Sequence, residues 1–352
     1  MTAKERIQRT VGHESGTEQP LYVWFSPEWE ARLAAALRVD VLDLHPSLGN
    51  DIVPVDMGMN AYMMQSMADG EERISEFGFR FLKQNDSFNI VEYPIRDIDA
   101  VPSYRHPDPN APGKYDILRR QVARYGKEYP ILVDISPIVF EAAYSLYGME
   151  PTMLALAMDE RAMLPLFERH IEYTLAVAKH CIDVGANIIW TGDDWGTQQS
   201  MLISPDMWRT SIKPLVAKLW RGIKRYKPDV IIAHHSCGAI APIIPDLIEL
   251  GLDILNPIQP NVPGMAPAGL KRQFGDSLSF LGGIDTQELL RHGSPEEIER
   301  IARETCGIFG SGYILSPAHR IHDVPFENIR ALFRAAGRTT LDHICVPEAG
   351  AA

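Results

Sequence analysis

From about residue 130 onward the chain alternates short apolar runs with helical patterns, and this alternation restricts the fold more than any other feature. Apolar runs at 131–135, 187–191, 229–234, 253–256, 278–281 and 313–315 read as buried strands. Helical patterns fall between them, at 164–184, 204–226, 241–250 and 266–273; another opens at Ser294-Pro295-Glu296-Glu297, and a last one at Pro325. Ser204-Pro205 and Ser294-Pro295 carry helix-start signals, a capping hydroxyl followed by proline at the first helical position. Ser294 and Glu297 add a capping box. Parallel strands need long crossover connections, and helices supply them. The order therefore predicts βαβ units around a parallel sheet, in a single (βα)8 TIM-type barrel over 20–345 with an N-terminal helical elaboration. A doubly wound open sheet is the alternative, disfavoured because no G-x-G-x-x-G or G-x-x-x-x-G-K-[ST] fingerprint occurs. Residues 1–19 are polar and aperiodic and are expected to form a flexible tail; 347–352 are expected to be unstructured too.

Size and charge narrow the function. A chain of 352 residues that is 45% hydrophobic can bury a large core. Its net charge of -12 lacks the basic footprint of a nucleic-acid binder and opposes docking on anionic membranes. No apolar run approaches the ~20 residues that span a bilayer. The opening Met1-Thr2-Ala3-Lys4-Glu5-Arg6 has no apolar signal segment, so a cytoplasmic location is expected. The four cysteines have no disulfide-framework spacing. Cys181, Cys306 and Cys345 read as small buried hydrophobes.

Barrel enzymes carry their chemistry at the C-terminal ends of strands. Here five consecutive strand ends are polar: Gly192-Asp193-Asp194-Trp195-Gly196-Thr197-Gln198, His235-Ser236-Cys237-Gly238, Asn256-Pro257-Ile258-Gln259, Gly282-Gly283-Ile284-Asp285 and Ser316-Pro317-Ala318-His319. Any one set reads equally well as a satisfied loop or helix cap. Together they would ring one cavity. His235 and Cys237 leave one face of an extended chain, and imidazole with thiolate suits zinc. His234 points to the opposite face and reads as a packed histidine. His322 and Asp323 read as a solvated loop. Of Asp193 and Asp194, one is expected to face the site while the other pins a loop.

These residues carry a resemblance. Gly192-Asp193-Asp194…Gln198, His235-Ser236-Cys237-Gly238, Asn256-Pro257-Ile258-Gln259-Pro260, Gly282-Gly283-Ile284-Asp285 and Glu327-Asn328-Ile329 resemble the uroporphyrinogen decarboxylase superfamily, from about residue 30 to 337. The resemblance implies a (βα)8 barrel and one of two chemistries. The first is alkyl transfer by zinc-thiolate enzymes that use a corrinoid protein or tetrahydrofolate as co-substrate. These hold zinc through a His-X-Cys pair and a later third ligand, usually Cys; here that place falls on His319. The second is cofactor-free decarboxylation, in which a histidine at the same place contacts substrate. Asn50-Asp51-Ile52-Val53-Pro54 resembles the decarboxylase segment with its central aspartate, and Tyr144 resembles that branch's substrate-contacting tyrosine. The decarboxylases' arginine-rich carboxylate clamp has no counterpart before Asp51.

The expectation is a metal-dependent methyl or alkyl transferase. His235, Cys237 and His319 would hold zinc. Asp51, Asp194 and His319 would be catalytic, and Tyr144, Asp193, Gln198, Asn256, Gln259 and Asp285 would meet a small-molecule substrate. Asp51 is expected at the barrel mouth. The alternative is a metal-free carboxy-lyase built on Asp51 and His319. A third reading, a non-catalytic subunit docking on a corrinoid protein, conflicts with so many polar strand ends. By analogy the chain is expected to form a homodimer.

Overall fold

In the computed structural model the described residues are 1–16, 18–62, 67–84 and 87–346, so the expectation for 347–352 lies outside them. Ten strands occur among them: β1 (Val53–Asp56), β2 (Glu72–Ile74), β3 (Arg80–Gln84), β4 (Ser87–Glu92), β5 (Ile131–Asp134), β6 (Ile188–Gly192), β7 (Ile231–His235), β8 (Ile254–Asn256), β9 (Ser279–Ile284) and β10 (Tyr313–Pro317). Seven form one sheet in the order β1-β5-β6-β7-β8-β9-β10, and each neighbouring pair within it is parallel. Each strand lies beside its predecessor in the sheet's own sequence. A doubly wound sheet would reverse direction at a switch point, so the alternative fold is excluded.

The sheet curls into a barrel because segment 20–25 fills the gap between β10 and β1. Tyr22 donates its N–H to Leu315 O and Leu315 donates to Pro20 O, while Asp51 donates to Leu21 O. On the β1 side, side chains extend the ladder: Val23 N–H donates to Asn50 Oδ1, and Asn50 Nδ2 donates back to Val23 O. Tyr22 and Trp24 turn inward, while Leu21, Val23 and Phe25 pack outward with the helix layer. The barrel interior is filled by Ile52, Leu132, Ile188, Ile231, Ile254, Leu281 and Ile314.

The expected flexible tail contains a helix, Ala3–Val11, capped by a Thr2–Glu5 box. It carries few apolar residues, so its periodicity is faint. Only one face is used: Ile7 inserts into the barrel's inner cluster and Arg6 is buried. Arg6 pairs with Asp51, which also binds Arg338 at 3.0 Å and accepts Leu21 N–H at 2.9 Å. Asp51 therefore sits just before β1, at the N-terminal rim of the barrel. It is 3% exposed and ties the first helix to the closing segment. Its expected position at the mouth is corrected.

An antiparallel sheet, β2–β3–β4, is inserted before β5. Lys83 and Phe88 reach from it over the C-terminal end of the barrel, and Lys83 pairs with Glu28 at 3.0 Å.

Candidate functional site

Strand register builds the centre of the site. His235 is the last residue of β7 and pairs in register with Gly192 of β6 and Asn256 of β8. Gly192 leaves this row open, since a Cβ there would meet Ser136 Oγ at 2.5 Å. Asn256 donates through Nδ2 to Leu281 O at 3.0 Å, so its Oδ1 is the atom that faces His235 Nδ1 at 2.6 Å. That oxygen only accepts, so the His235 proton sits on Nδ1 and the Nε2 lone pair is left toward the cavity. Cys237 Sγ lies 3.4 Å from His235 Nε2. His319, just beyond β10, approaches from another strand end, its ring 5.8 Å from that of His235.

The ligand atoms of His235, Cys237 and His319 all lie within 4.8 Å of one another. Zinc bonds of about 2.0 Å to nitrogen and 2.3 Å to sulfur, at tetrahedral angles, put N and S about 3.5 Å apart. The observed 3.4 Å between His235 Nε2 and Cys237 Sγ fits that spacing. A free nitrogen on His235, a thiol, a second imidazole and an orienting amide form a donor set suited to zinc.

Electrostatics point the same way. Burial lowers His319 to about 3, helped by His235, Arg320 and His322, so its imidazole is neutral and free to donate a lone pair. Burial pushes the Cys237 thiol well up, and the carboxylates of Asp194 and Glu141 push it further. A cation bound at the sulfur would reverse both effects. Asp194 Oδ1 accepts the Cys237 N–H at 2.8 Å and stands 3.7 Å from His235 Nε2. Replacing Asn256 with Ala frees the His235 ring to rotate. Zinc affinity is then expected to fall about 10–100-fold, measured by chelator competition.

The turn after Cys237 needs glycine. Gly238 has φ +86°, and a Cβ there would sit 2.4 Å from Gly196 C and 2.6 Å from Thr197 O. Its N–H donates to Gln259 Oε1 at 2.6 Å. Gly238→Ala is expected to cost about 1–3 kcal/mol in a denaturant titration and to loosen the Cys237 backbone.

The cluster opens on a cavity of about 310 Å³. Trp24, Trp190 and Phe88 form apolar walls, with Glu141, Asp134 and Arg320 among them. Glu141 Oε1 accepts the Tyr144 hydroxyl at 2.5 Å. Burial, then Asp194 and Asp193, raise the Glu141 carboxyl well above the usual range.

The expected residues separate into groups. His235, His319 and Asp194 line the cavity with Cys237 clustered beside the two histidines, Asn256 stands directly behind His235, and Tyr144 reaches the cavity through Glu141. Asp193 is fully buried behind the wall and caps the helix Phe140–Tyr147, accepting Phe140 and Glu141 N–H groups at 2.7 Å each. Burial raises its carboxyl against these donors and the Trp195 indole. A short residue after β6 is well placed for that cap, so Asp193 is corrected from substrate contact to support. Gln259 holds the Gly238 turn, and Gln198 is exposed on a surface turn. Asp285 caps the turn at 287–289 on a different cleft. Asp51 lies at the other end of the barrel. His234 packs on Trp195, ring centroids 4.5 Å apart, facing away from the site. His322, expected in a solvated loop, lines the cavity. Cys181 is buried and Cys306 partly buried, whereas Cys345 is exposed, contrary to expectation.

The site also gathers residues that sequence patterns did not single out: Trp24, Lys83, Phe88, Asp134, Glu141 and Arg320. Asp134 had a signal, because it closes β5 as His235 closes β7.

Residues 76–339 match the family model described as uroporphyrinogen decarboxylase (URO-D). The methylated-thiol–coenzyme M methyltransferase of Methanosarcina mazei is 23% identical over 259 residues, spanning 70% of this chain and 67% of that one. A solved structure of a methyltransferase from Methanosarcina mazei superposes with a TM-score of 0.75, covering 96% of this chain and 98% of that chain at 16% identity. At that identity the superposition speaks for a shared fold.

Proposed function

This chain belongs to the uroporphyrinogen decarboxylase family, and from that premise we propose that it is a zinc-dependent methyl or alkyl transferase acting on a small molecule. The observation that carries the reading is the convergence of His235, Cys237 and His319 within 4.8 Å. The name of the methyltransferase relative from Methanosarcina mazei supports alkyl transfer over decarboxylation. A corrinoid protein or tetrahydrofolate is proposed as the co-substrate.

In this reading His235, Cys237 and His319 hold the metal. When bound, zinc supplies Lewis acidity that keeps a thiol ionised at neutral pH, as a nucleophile toward an activated alkyl group. The protein's own groups do the rest. Asn256 fixes the His235 ring through the 2.6 Å contact. Asp194 faces the cavity beside the cluster and accepts the proton that an acceptor thiol loses. Glu141, bonded to Tyr144 and with its carboxyl raised by burial, is placed to exchange a proton with Asp194 or with the substrate. Trp24, Trp190 and Phe88 keep water from the alkyl group.

A metal-free lyase built on Asp51 needs that carboxylate in the cavity. Instead it is held between Arg6 and Arg338 at the opposite rim. Elemental mass spectrometry of the purified protein tests the proposal. About one zinc ion per chain is expected. Protein that folds, purified without chelator, and contains none would sink it.

A further inference from the structure

Beside the main cavity lies a chamber of about 40 Å³, and the two share Trp24, Asp134, Trp190 and Arg320 in their walls. Asp56 and Glu30 also line the chamber. Glu30 faces His45 at 3.4 Å. The other charges are left open. Among the described residues, the Arg320 side chain has no hydrogen bond and no ion pair; it lies 5.3 Å from the centre of the Trp24 ring, and its Nε is buried without a partner. The Asp56 side chain likewise has neither. Asp134 stands in register with Asp56 across β1 and β5 and accepts one N–H, from Ser136 at 2.7 Å. Ser136 is 3% exposed, lines the main cavity, and has an Oγ with no partner.

Charges of opposite sign thus share one chamber, and no pair of them comes within ion-pairing distance. Asp134 and Arg320 are half-buried and Asp56 is exposed; a direct pair would offset the desolvation of the half-buried groups. At the other rim this chain pairs Asp51 with two arginines. Around Arg320 it holds the charges apart, which suits a ligand that carries both signs.

We propose that the substrate is zwitterionic, of the amino-acid thiol or thioether class, with its carboxylate on Arg320 and Ser136 and its ammonium between Asp56 and Asp134. The reach agrees. Arg320 follows His319 directly, and the His319 ring lies 5.5 Å from that of Trp24. A sulfur a few bonds from the charged head can therefore meet the cluster. The sulfur's role rests on the proposed transferase; the recognition of the head group does not.

Calorimetric titration with L-methionine, its decarboxylated amine and its deaminated acid tests the idea. The thioether binds zinc weakly, so the readout is the same for protein as purified and after chelation. L-Methionine is expected to bind at least about tenfold tighter than either analogue. Arg320→Met should erase its advantage over the amine, and Asp56→Asn its advantage over the acid, with thermal melts showing both variants folded. Equal binding of the three ligands, or no binding by any, overturns the proposal. So does an acid that binds as tightly as L-methionine, because the site would then recognise an anion alone. Tight methionine binding by protein that never retains zinc would sink the transferase reading and leave this one standing.

Discussion

Cys237→Ser is expected to remove zinc from the purified protein and to lower the rate of alkyl transfer to a thiol by at least about a thousandfold, roughly 4 kcal/mol of transition-state stabilisation. The reasoning is local. Cys237 supplies the sulfur of the three-atom cluster and the ligand best matched to zinc against competing divalent ions. A serine hydroxyl there would not ionise among the carboxylates of Asp194 and Glu141, which already press the thiol toward its neutral form. The backbone should be unaffected, because the Cys237 N–H to Asp194 and the Gly238 N–H to Gln259 do not involve the side chain. Metal content, melting temperature and single-turnover alkylation would be measured on one preparation. A variant that keeps its zinc, or loses it without losing rate, would show that the cluster is not the catalytic centre.

The second large effect is on stability. Asp51→Ala should destabilise the fold by about 2–4 kcal/mol, because it leaves the buried Arg6 with only the exposed Glu18 as partner and the Leu21 N–H without its acceptor. Arg338 is partly exposed and loses less. Asp51→Asn keeps an acceptor for Leu21 and should fall between the two. Activity per folded molecule should stay at the parent level, since Asp51 lies at the barrel rim opposite the cavity. Urea midpoints together with kcat on folded protein give the answer. A collapse of kcat with an unchanged midpoint would return Asp51 to the catalytic list.

Physical circumstances decide which of these features the sequence reveals. Runs such as 131–135 and 187–191 are buried on both faces, so their residues are almost uniformly apolar and stand out. Segment 20–25 is short, opens with proline and completes half its pairing through Asn50 and Asp51 side chains, which leaves no strand pattern. The strands β2 to β4 are half exposed and rich in charge, so they look like loop. In the site, His235, Cys237 and His319 are readable because the residue types able to hold zinc are few and strand ends have a fixed location. The same rule gave Gln198 and Asp285 no way to declare their direction: one faces solvent and the other caps a turn. Glu141 and Arg320 owe their place to a helix start and a loop, and tertiary packing alone brings them inward.

The closing segment also bears on how the molecule is made. The Gln19 amide reaches Tyr313 O, 294 residues further along the chain, and Phe25 pairs with Ile321. Such distant partners raise the contact order and slow folding. During synthesis the sheet from β1 to β9 can assemble in sequence, strand upon neighbouring strand, but the barrel stays an open trough until β10 has left the ribosome. Trp24 rides on that segment and forms part of the cavity wall. His319 lies just past β10, and both are needed for a finished pocket. A nascent chain halted before that point would expose the apolar lining of the trough to chaperones and proteases, with no capacity to hold either metal or substrate.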